Sequence, residues 1–337
     1  MKSVLVTGGA GFIGSHTVVE LSQAGFRPVI LDDFSNADDR VLDGLNKILG
    51  TDIPVYRVNC LSQGDLEEVI EKEKISNVIH FAAFKAVGES VQEPLKYYHN
   101  NVGSLISLLK AMETKGVKRI VFSSSCTVYG QPDILPVTEE SPILPATSPY
   151  GYTKQVCEQL LKDYVAAQNG FQAVILRYFN PIGAHPSGFI GELPYGTPNN
   201  LVPFIAQTAA GLYPELTVHG GDYNTIDGSC LRDYIHVCDL ANAHVRSLQW
   251  QMDNSDSFEI FNLGQGFGNS VLEVIHAFEE ATGQKVNYRI GPRRSGDVEK
   301  IWADIQKADR ILGWKSSYTL GEALRHSWNW QKYISGN

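Results

Sequence analysis

VLVTGGAGFIGSH, residues 4–16, is the stretch that decides the fold of this chain. Its glycines satisfy two related spacings, because Gly9, Gly11 and Gly14 match GxGxxG while Gly8, Gly11 and Gly14 match GxxGxxG. Between a strand and a helix, such glycines allow a tight turn, a close approach to a pyrophosphate and close packing of helix on strand. The free N–H groups of the helix would then face the phosphates. The stretch therefore predicts a dinucleotide site in an open α/β sheet.

The first half of the chain alternates short apolar runs with amphipathic stretches. Strands are predicted at residues 3–6, 29–31, 55–58, 77–82, 120–123 and 173–176, and helices at 13–24, 37–49, 63–74, 91–115 and 149–167. Most of the predicted strands lack polar alternation, as expected of strands that are covered on both faces. Together with the strand–helix–strand order, this predicts an α/β fold with a doubly wound, parallel Rossmann sheet.

A carboxylate follows the second predicted strand. Asp32 stands where it can accept hydrogen bonds from both ribose hydroxyls of an adenosine. A 2′-phosphate at that place would meet a like charge in a cleft of low dielectric. The position therefore favours NAD over NADP.

The sequence changes character after Arg177. Residues 178–228 are rich in Gly, Pro and Asn, which is typical of loops. We expect residues 1–178 to form an NAD-binding Rossmann domain and residues 179–337 to form a smaller, irregular α/β substrate-binding domain. The apolar segment YIHVCDLANAHV predicts an interleaved boundary, in which part of 230–250 returns to the first domain.

Two polar segments predict the reacting groups. Ser125 lies in FSSSCTVYG, residues 122–130, at the carboxyl end of a predicted strand, where open α/β sheets bind ligands. In SPYGYTK, residues 148–154, Tyr150 and Lys154 are four residues apart and share one face of a predicted helix. The ammonium and an oxidised nicotinamide would lower the pKa of the phenol from its ordinary value of about 10. We therefore expect Tyr150 to be a general base that Lys154 and Ser125 assist.

Composition narrows the class of protein. Of the 337 residues, 43% are apolar, which predicts a globular chain with a sizeable core. The net charge of −9 argues against nucleic acid as a partner. Five cysteines without CxxC spacing predict neither a disulfide framework nor a metal site. The sequence has neither a signal-like start nor the roughly 20 consecutive apolar residues of a membrane span, so we expect a cytoplasmic protein without a membrane partner.

These elements resemble the extended short-chain dehydrogenase/reductase family, and within it the UDP-glucose 4-epimerases. The resemblance extends over essentially the whole chain through FAAFKAVGES (81–90), YYHNN (97–101), RYFNP (177–181), PNNL (198–201) and RDYIH (232–236). It implies reversible 4-epimerisation of UDP-glucose and UDP-galactose. The hydride of the sugar C4 would pass to tightly bound NAD and return to the other face of a 4-keto sugar.

The resemblance also implies residue roles. NAD would contact Gly8, Gly11, Phe12, Ile13, Gly14, Asp32, Asn36, Cys60, Leu61, Phe81, Ala82, Lys85, Asn100, Ser125, Tyr150, Lys154 and Tyr178. The UDP-hexose would contact Lys85, Ser125, Tyr150, Phe179, Asn180, Asn200, Leu201, Arg232, Tyr234, Arg294, Asp297 and Ile301. The residue type supports Arg294 independently, because a planar guanidinium matches the oxygens of a diphosphate.

Two positions depart from the family pattern. Cys60 stands where relatives place an aspartate that meets adenine, and a thiol cannot replace a carboxylate as the acceptor for the adenine amino group. Adenine recognition would then depend on backbone groups, Asn59 or water. Ile301 stands where a tyrosine restricts relatives to glucose and galactose. Its stiff aliphatic side chain predicts a preference for these sugars over their N-acetylated forms.

Three alternatives remain open from the sequence. A UDP-N-acetylhexosamine 4-epimerase would need room for an acetamido group beside Ile301. A 4,6-dehydratase would need an acidic pair after Ser125, where this chain has Cys126 and Thr127. A non-catalytic NAD-sensing protein could lack Tyr150 and Lys154, which this chain retains.

The predicted helices 91–115 and 149–167 carry apolar residues on more than one side. These include Leu105, Leu108, Leu109, Val156, Leu160 and Val165. The resemblance implies that such helices pair with their copies in a two-fold four-helix contact. We therefore expect a homodimer, and the alternative is that all these side chains are needed inside one protomer.

Overall fold

A computed structural model describes residues 1–294 and 297–336 of the chain. Its strands are β1 (Ser3–Thr7), β2 (Arg27–Asp32), β3 (Val55–Arg57), β4 (Ile75–His80), β5 (Arg119–Ser123), β6 (Gln172–Tyr178), β7 (Asn180–Ile182), β8 (Leu216–His219), β9 (Leu231–Arg232), β10 (Tyr234–His236), β11 (Phe258–Leu263), β12 (Asn269–Ser270), β13 (Tyr288–Gly291) and β14 (Lys300–Ile301). Its α-helices are α1 (Phe12–Gln23), α2 (Arg40–Leu49), α3 (Gln63–Lys72), α4 (Val87–Gln92), α5 (Pro94–Tyr97), α6 (Gly103–Thr114), α7 (Pro149–Ala167), α8 (Leu201–Ala209), α9 (Val237–Asp253), α10 (Val271–Thr282), α11 (Gln306–Leu312) and α12 (Leu320–Ile334).

The central sheet has the strand order β11-β6-β5-β4-β1-β2-β3, and every neighbouring pair is parallel. The direction of winding reverses between β1 and β4, which places a crevice at the carboxyl ends of these strands. The predicted doubly wound parallel sheet is confirmed. Small sheets of two or three strands (β10-β7, β12-β9-β14 and β13-β8) form the irregular remainder.

Both faces of the central sheet are covered. Successive residues of a strand point to opposite faces, so Val4 and Val6 join one apolar cluster while Leu5 joins the other. The first cluster includes residues of α1, α2 and α9, and the second includes residues of α3, α6 and α7. In the described ranges, no helix combines the length and the apolar content needed to cross a membrane.

The helix predicted at residues 91–115 is interrupted near its start, whereas residues 94–114 are helical throughout. The structure has α4, α5, a π-helical turn (Tyr98–Val102) and α6 in this region. The break lies at Glu93, whose φ of −126° and ψ of 57° are not helical. Pro94 explains the break, because a proline disfavours helical backbone at the preceding residue and lacks the N–H of a continuous helix.

Two elements from the second half of the chain lie in the layers of the central sheet. Strand β11 pairs with β6 along its whole length, and sequence analysis did not predict it. Helix α9 packs against α1, and its residues Val237 and Leu240 are in the same apolar cluster as Val4. The division of the chain at residue 178 stays a prediction.

Candidate active site

The glycine turn is too tight for side chains at several positions. A Cβ added to Gly14 would lie 2.2 Å from the carbonyl oxygen of Gly8, and one added to Gly8 would lie 2.8 Å from the nitrogen of Ala82. Gly8 also has a φ of +70°, which L side chains rarely adopt. Gly11 precedes the first residue of α1. The turn thus leaves the N-terminus of α1 open to a diphosphate, so the residues present fit a dinucleotide.

A cleft of about 650 Å³ lies above this turn, at the carboxyl ends of β1, β2 and β4. Most residues predicted to hold the cofactor line it, namely Gly8, Gly11, Phe12, Ile13, Gly14, Asp32, Asn36, Cys60, Phe81, Ala82, Lys85, Asn100, Tyr150, Lys154 and Tyr178. Leu61 and Ser125 are not part of the lining. Five different strands and helices therefore bring residues that are distant in sequence to one cavity.

Asp32 is held in place by the backbone around it. One carboxylate oxygen accepts the N–H of Ala10 at 3.0 Å and the other accepts the N–H of Phe34 at 2.9 Å. Burial raises the pKa of Asp32, although these two N–H groups lower it. Each carboxylate oxygen keeps a further lone pair, so the fixed group can still accept ribose hydroxyls.

Cys60 presents a neutral thiol to the same cleft. Burial, with Asp32 and Asp33 nearby, raises the pKa of Cys60 to about 12. The neighbouring Asn59 uses its amide to donate to Asp33 at 2.7 Å and to accept the N–H of Leu61 at 2.9 Å. Cys60 therefore presents a protonated thiol to the cleft and offers no carboxylate acceptor there.

The predicted reacting groups come together at the start of α7. The Ser148 hydroxyl accepts the N–H of Gly151 at 3.2 Å and caps the helix. Tyr150 and Lys154 follow on one face of the helix, and both are buried. The Lys154 Nζ donates to the carbonyl oxygen of Ser123 at 2.7 Å, which ties α7 to the end of β5 beside Ser125.

The pKa values of the two α7 groups move in opposite directions. Burial and the nearby Tyr178 raise the pKa of Tyr150 well above its ordinary value, and the Ser125 hydroxyl opposes this rise. Burial lowers the pKa of Lys154 to about 8. The lowering of the Tyr150 pKa that the sequence predicts is not met in the protein alone. A positive nicotinamide would have to supply it.

Lys85 and Asn200, two predicted substrate ligands, meet at one acid. The Lys85 Nζ lies 3.1 Å from Glu192 Oε1, and the Asn200 amide donates to the same oxygen at 2.6 Å. All three side chains line the cleft. Glu192 therefore fixes both groups at the edge of the cleft nearest the second half of the chain.

The remaining predicted substrate residues do not line this cleft, but the structure brings several of them together. Arg232 pairs with Ile301 across β9 and β14, and Tyr234 pairs with Asn180 across β10 and β7. Arg294 and Asp297 form an ion pair at 2.8 Å, Phe179 and Ile301 share a small apolar cluster, and Leu201 begins α8. Arg294, which is predicted to meet a diphosphate, thus contacts the predicted substrate residue Asp297.

Comparison with known proteins agrees with this geometry. Residues 4–264 match the profile of the NAD dependent epimerase/dehydratase family. The chain belongs to this family. It is 51% identical over 329 residues to a UDP-glucose 4-epimerase of Bacillus subtilis, a match that spans 98% of this chain and 96% of the relative.

Solved structures of epimerases resemble the whole chain. The UDP-glucose 4-epimerase of Stenotrophomonas maltophila, with bound NAD and formylated UDP-arabinopyranose, has a TM-score of 0.97 and 48% identity over 100% of this chain and 99% of that one. The enzyme of Bifidobacterium longum, in complex with NAD+ and UDP, has a TM-score of 0.95 and 46% identity over 99% of each chain.

Three residues of this NAD dependent epimerase/dehydratase escaped sequence analysis. Glu192 and Tyr195 lie in a segment that borders the cleft, and the Tyr195 hydroxyl donates to the carbonyl oxygen of Ala37 at 2.7 Å. Thr127 follows Ser125 by two residues, and its buried hydroxyl has no partner within the described residues. The position of Thr127, two residues after Ser125, could have predicted that it lies near the site. Nothing in the local sequence indicates this for Glu192 or Tyr195.

Proposed function

We propose that the chain interconverts UDP-glucose and UDP-galactose by reversible 4-epimerisation, through a 4-keto sugar and with NAD as a tightly bound cofactor. The decisive observation is the convergence of Tyr150, Ser125 and Lys154 beside the dinucleotide cleft. The UDP-glucose 4-epimerases described above share almost the whole chain with it. The protein is therefore an isomerase.

The residues of the chain supply proton transfer and positioning. Tyr150 Oη takes the proton of the sugar 4-hydroxyl and later returns it, and the Ser125 hydroxyl next to it passes the proton between phenol and sugar. The Lys154 ammonium would add to the effect of a positive nicotinamide in favouring the phenolate. It also keeps the end of β5 in place through Ser123. NAD, when bound, accepts the hydride of C4 and returns it.

The cycle leaves the oxidation state of the cofactor unchanged, so turnover does not require its release. The glycine turn and the fixed Asp32 carboxylate support lasting attachment of NAD. The segment that carries Tyr195 borders the same cleft and bonds to Ala37 on its opposite side. We expect NAD to stay with the protein through purification.

The test is to mix purified protein with UDP-galactose and to measure UDP-glucose without added NAD. Epimerisation under these conditions, with about one nicotinamide released per chain on acid denaturation, supports the proposal. Steady accumulation of NADH with a nucleotide sugar would indicate a net dehydrogenase instead. Absence of conversion with bound NAD would contradict the proposal.

The residues next to Ser125 do not suit a 4,6-dehydratase. Such an enzyme needs an acid and a base next to Ser125, where this chain has Cys126 and Thr127. Burial raises the pKa of Cys126 to about 12, so the thiol stays protonated at neutral pH. Elimination therefore lacks its proton-transfer groups here.

We also propose a homodimer, on a partly different set of residues from the one predicted from the sequence. Leu105, Leu108 and Leu109 are buried in the core of the protomer, so they do not contribute to a surface. Apolar surface remains along α7 and the neighbouring α4 and α5. It includes Val91 (62% exposed), Leu95 (81%) and Tyr152 (50%) together with the half-buried Val156 and Leu160.

Apolar patches of this kind mark interaction surfaces, and the outward side of α7 supports a contact with its own copy. Light scattering at micromolar concentration measures the mass. We expect a dimer that Val156→Glu converts to a monomer. A wild-type monomer would contradict this proposal and leave the proposed activity untouched.

We further propose a cytoplasmic location. The five cysteines are free thiols and four of them are buried, which suits a reducing compartment. Fractionation of the source cells tests this location, and recovery outside the cytoplasm would contradict it.

A further inference from the structure

A buried ion pair lies directly behind the reacting groups. Arg177 on β6 donates to Glu158 on α7 from Nε at 3.1 and 3.2 Å and from Nη2 at 2.6 Å. The two side chains are 4% and 9% exposed. The proposed reaction does not use either residue, and both charges are held away from water.

The pair belongs to a chain of hydrogen bonds that crosses several elements. Ser124, the residue after β5, donates from its hydroxyl to Glu158 Oε1. Arg177 Nη1 donates to the Tyr129 hydroxyl at 3.0 Å, which in turn donates to Asn262 on β11 at 2.6 Å. The network thus joins α7, β5, β6 and β11 through buried groups.

Three members of the network are next to a residue of the site. Ser124 precedes Ser125, Arg177 precedes Tyr178, and Glu158 lies one helical turn beyond Lys154. Lys154 bonds to the carbonyl oxygen of Ser123, and Glu158 bonds to the hydroxyl of Ser124. Two side chains of α7 therefore hold two consecutive residues at the end of β5.

Stability is a weak reason for such a pair. Replacing a buried ion pair by apolar side chains of similar volume is often neutral or stabilising, because the desolvation cost of the charges is removed. Geometry is a stronger reason, since a misplacement of reacting atoms by about 1 Å can lower a rate about 100-fold.

We propose that Glu158 and Arg177 are positioning residues, which fix the end of β5 against α7 and thereby place Ser125 and Lys154 relative to Tyr150. The proposal rests on the proposed function, because it concerns the placement of the proton-transfer groups. Neither residue touches substrate or cofactor in this role, and both act through their neighbours.

The Glu158 carboxylate has an electrostatic effect as well. Burial lowers the pKa of Lys154, and the Glu158 carboxylate opposes this lowering. Cys157 on the same helix stays a neutral thiol, because burial raises its pKa to about 12. On β4, His80 also lies close to Lys154, and burial keeps it neutral with a pKa of about 3. Loss of the carboxylate should therefore shift the alkaline limit of turnover to lower pH, since Lys154 then loses its proton earlier.

The test uses the holoenzyme with Glu158→Leu and Arg177→Met combined. The control combines Glu73→Leu and Arg27→Met, an Arg–Glu pair far from the site that also has a tyrosine hydroxyl, from Tyr56, as neighbour. This pair is nearer the surface, since Arg27 is 41% exposed. We expect an unchanged or higher melting temperature in both. In the variant that lacks Glu158 and Arg177, but not in the control, kcat should fall about 10- to 100-fold while KM stays within about threefold of wild type. The alkaline limit of its turnover should also move to lower pH.

Wild-type kcat and pH profile in the first variant, or an equal loss in the control, would overturn the proposal. If the variant that lacks Glu158 and Arg177 does not fold, Ser124→Ala tests the positioning role instead. It removes the hydrogen bond that the Ser124 hydroxyl donates to Glu158, without changing any charge. We expect kcat to fall about 3- to 10-fold with full NAD content, and wild-type kcat would overturn the positioning role.

A wild-type protein without epimerase activity would contradict the proposed function. The positioning role would then be read from the titration of Lys154 by NMR. A lower pKa in the combined variant supports the role, and an unchanged pKa overturns it.

Discussion

The cofactor side and the substrate side of the molecule are built differently. On the cofactor side, regular strands and helices bring fifteen predicted residues to one cleft. The packing is tight, because a Cβ added to Gly14 would lie 2.2 Å from the Gly8 carbonyl oxygen. On the substrate side, Arg232, Tyr234 and Ile301 lie on strands of two or three residues, among long loops. The first arrangement suits a ligand that stays, and the second suits a sugar that must turn over during each cycle.

Tyr150 lies where the two sides meet, so its loss should have the largest effect. We expect Tyr150→Phe to keep its bound NAD and to lose at least about 100-fold in kcat, because the general base is removed. Tyr152→Phe on the exposed side of the same helix is the control. Near wild-type turnover of Tyr150→Phe at neutral pH would refute the assignment of the base.

Gly14→Ala tests whether the cofactor side is as rigid as its geometry indicates. The added methyl group would meet the Gly8 carbonyl oxygen, and overpacking of this kind costs about 1–3 kcal/mol. We expect NAD affinity to fall about 5- to 150-fold, measured by the nicotinamide content after dialysis. Gly64→Ala, which has open space around it, should keep its NAD. Equal retention by both variants would show that the turn adapts.

Ile301→Ser tests the substrate side. An acetamido group would place an amide against the aliphatic Ile301 wall, and an unpaired buried amide costs about 1–3 kcal/mol. We expect kcat/KM of the wild type to favour UDP-galactose over UDP-N-acetylgalactosamine about 5- to 150-fold, and the serine variant to narrow the ratio. Equal values in the wild type contradict this preference, and an unchanged ratio in the variant removes Ile301 as its cause.

Tyr195→Phe should have the smallest effect, because it removes one bond between the two sides. A hydrogen bond of this kind is worth about 0.5–1.5 kcal/mol, so NAD should dissociate about 2- to 10-fold faster. Tyr213→Phe is the control, because the Tyr213 hydroxyl reaches Gly196 of the same segment without crossing to Ala37. Equal dissociation rates in wild type and Tyr195→Phe would mean that this contact does not retain the cofactor.

Sequence predicted the cofactor side more completely because its determinants are local. The glycine turn, Asp32 and the Tyr150–Lys154 spacing each lie within a few residues, and their positions follow from strand and helix geometry. The break before α5 also has a local cause, because Pro94 disfavours helical backbone at Glu93. Other contacts have no local pattern that reveals them. Glu192 bonds to Lys85, which is distant in sequence, and Glu158 on α7 bonds to Arg177 on β6.

Strand β11 has a consequence for how the protein is made. A ribosome that has synthesised residues 1–178 has produced a sheet whose edge at β6 is open and whose α1 lacks its neighbour α9. An open strand edge is a site for pairing with other chains. The nascent chain can close this edge once residue 263 of 337 has left the exit tunnel. The part that is translated first is therefore completed late, and chaperones can bind its open edge throughout the synthesis of residues 183–257.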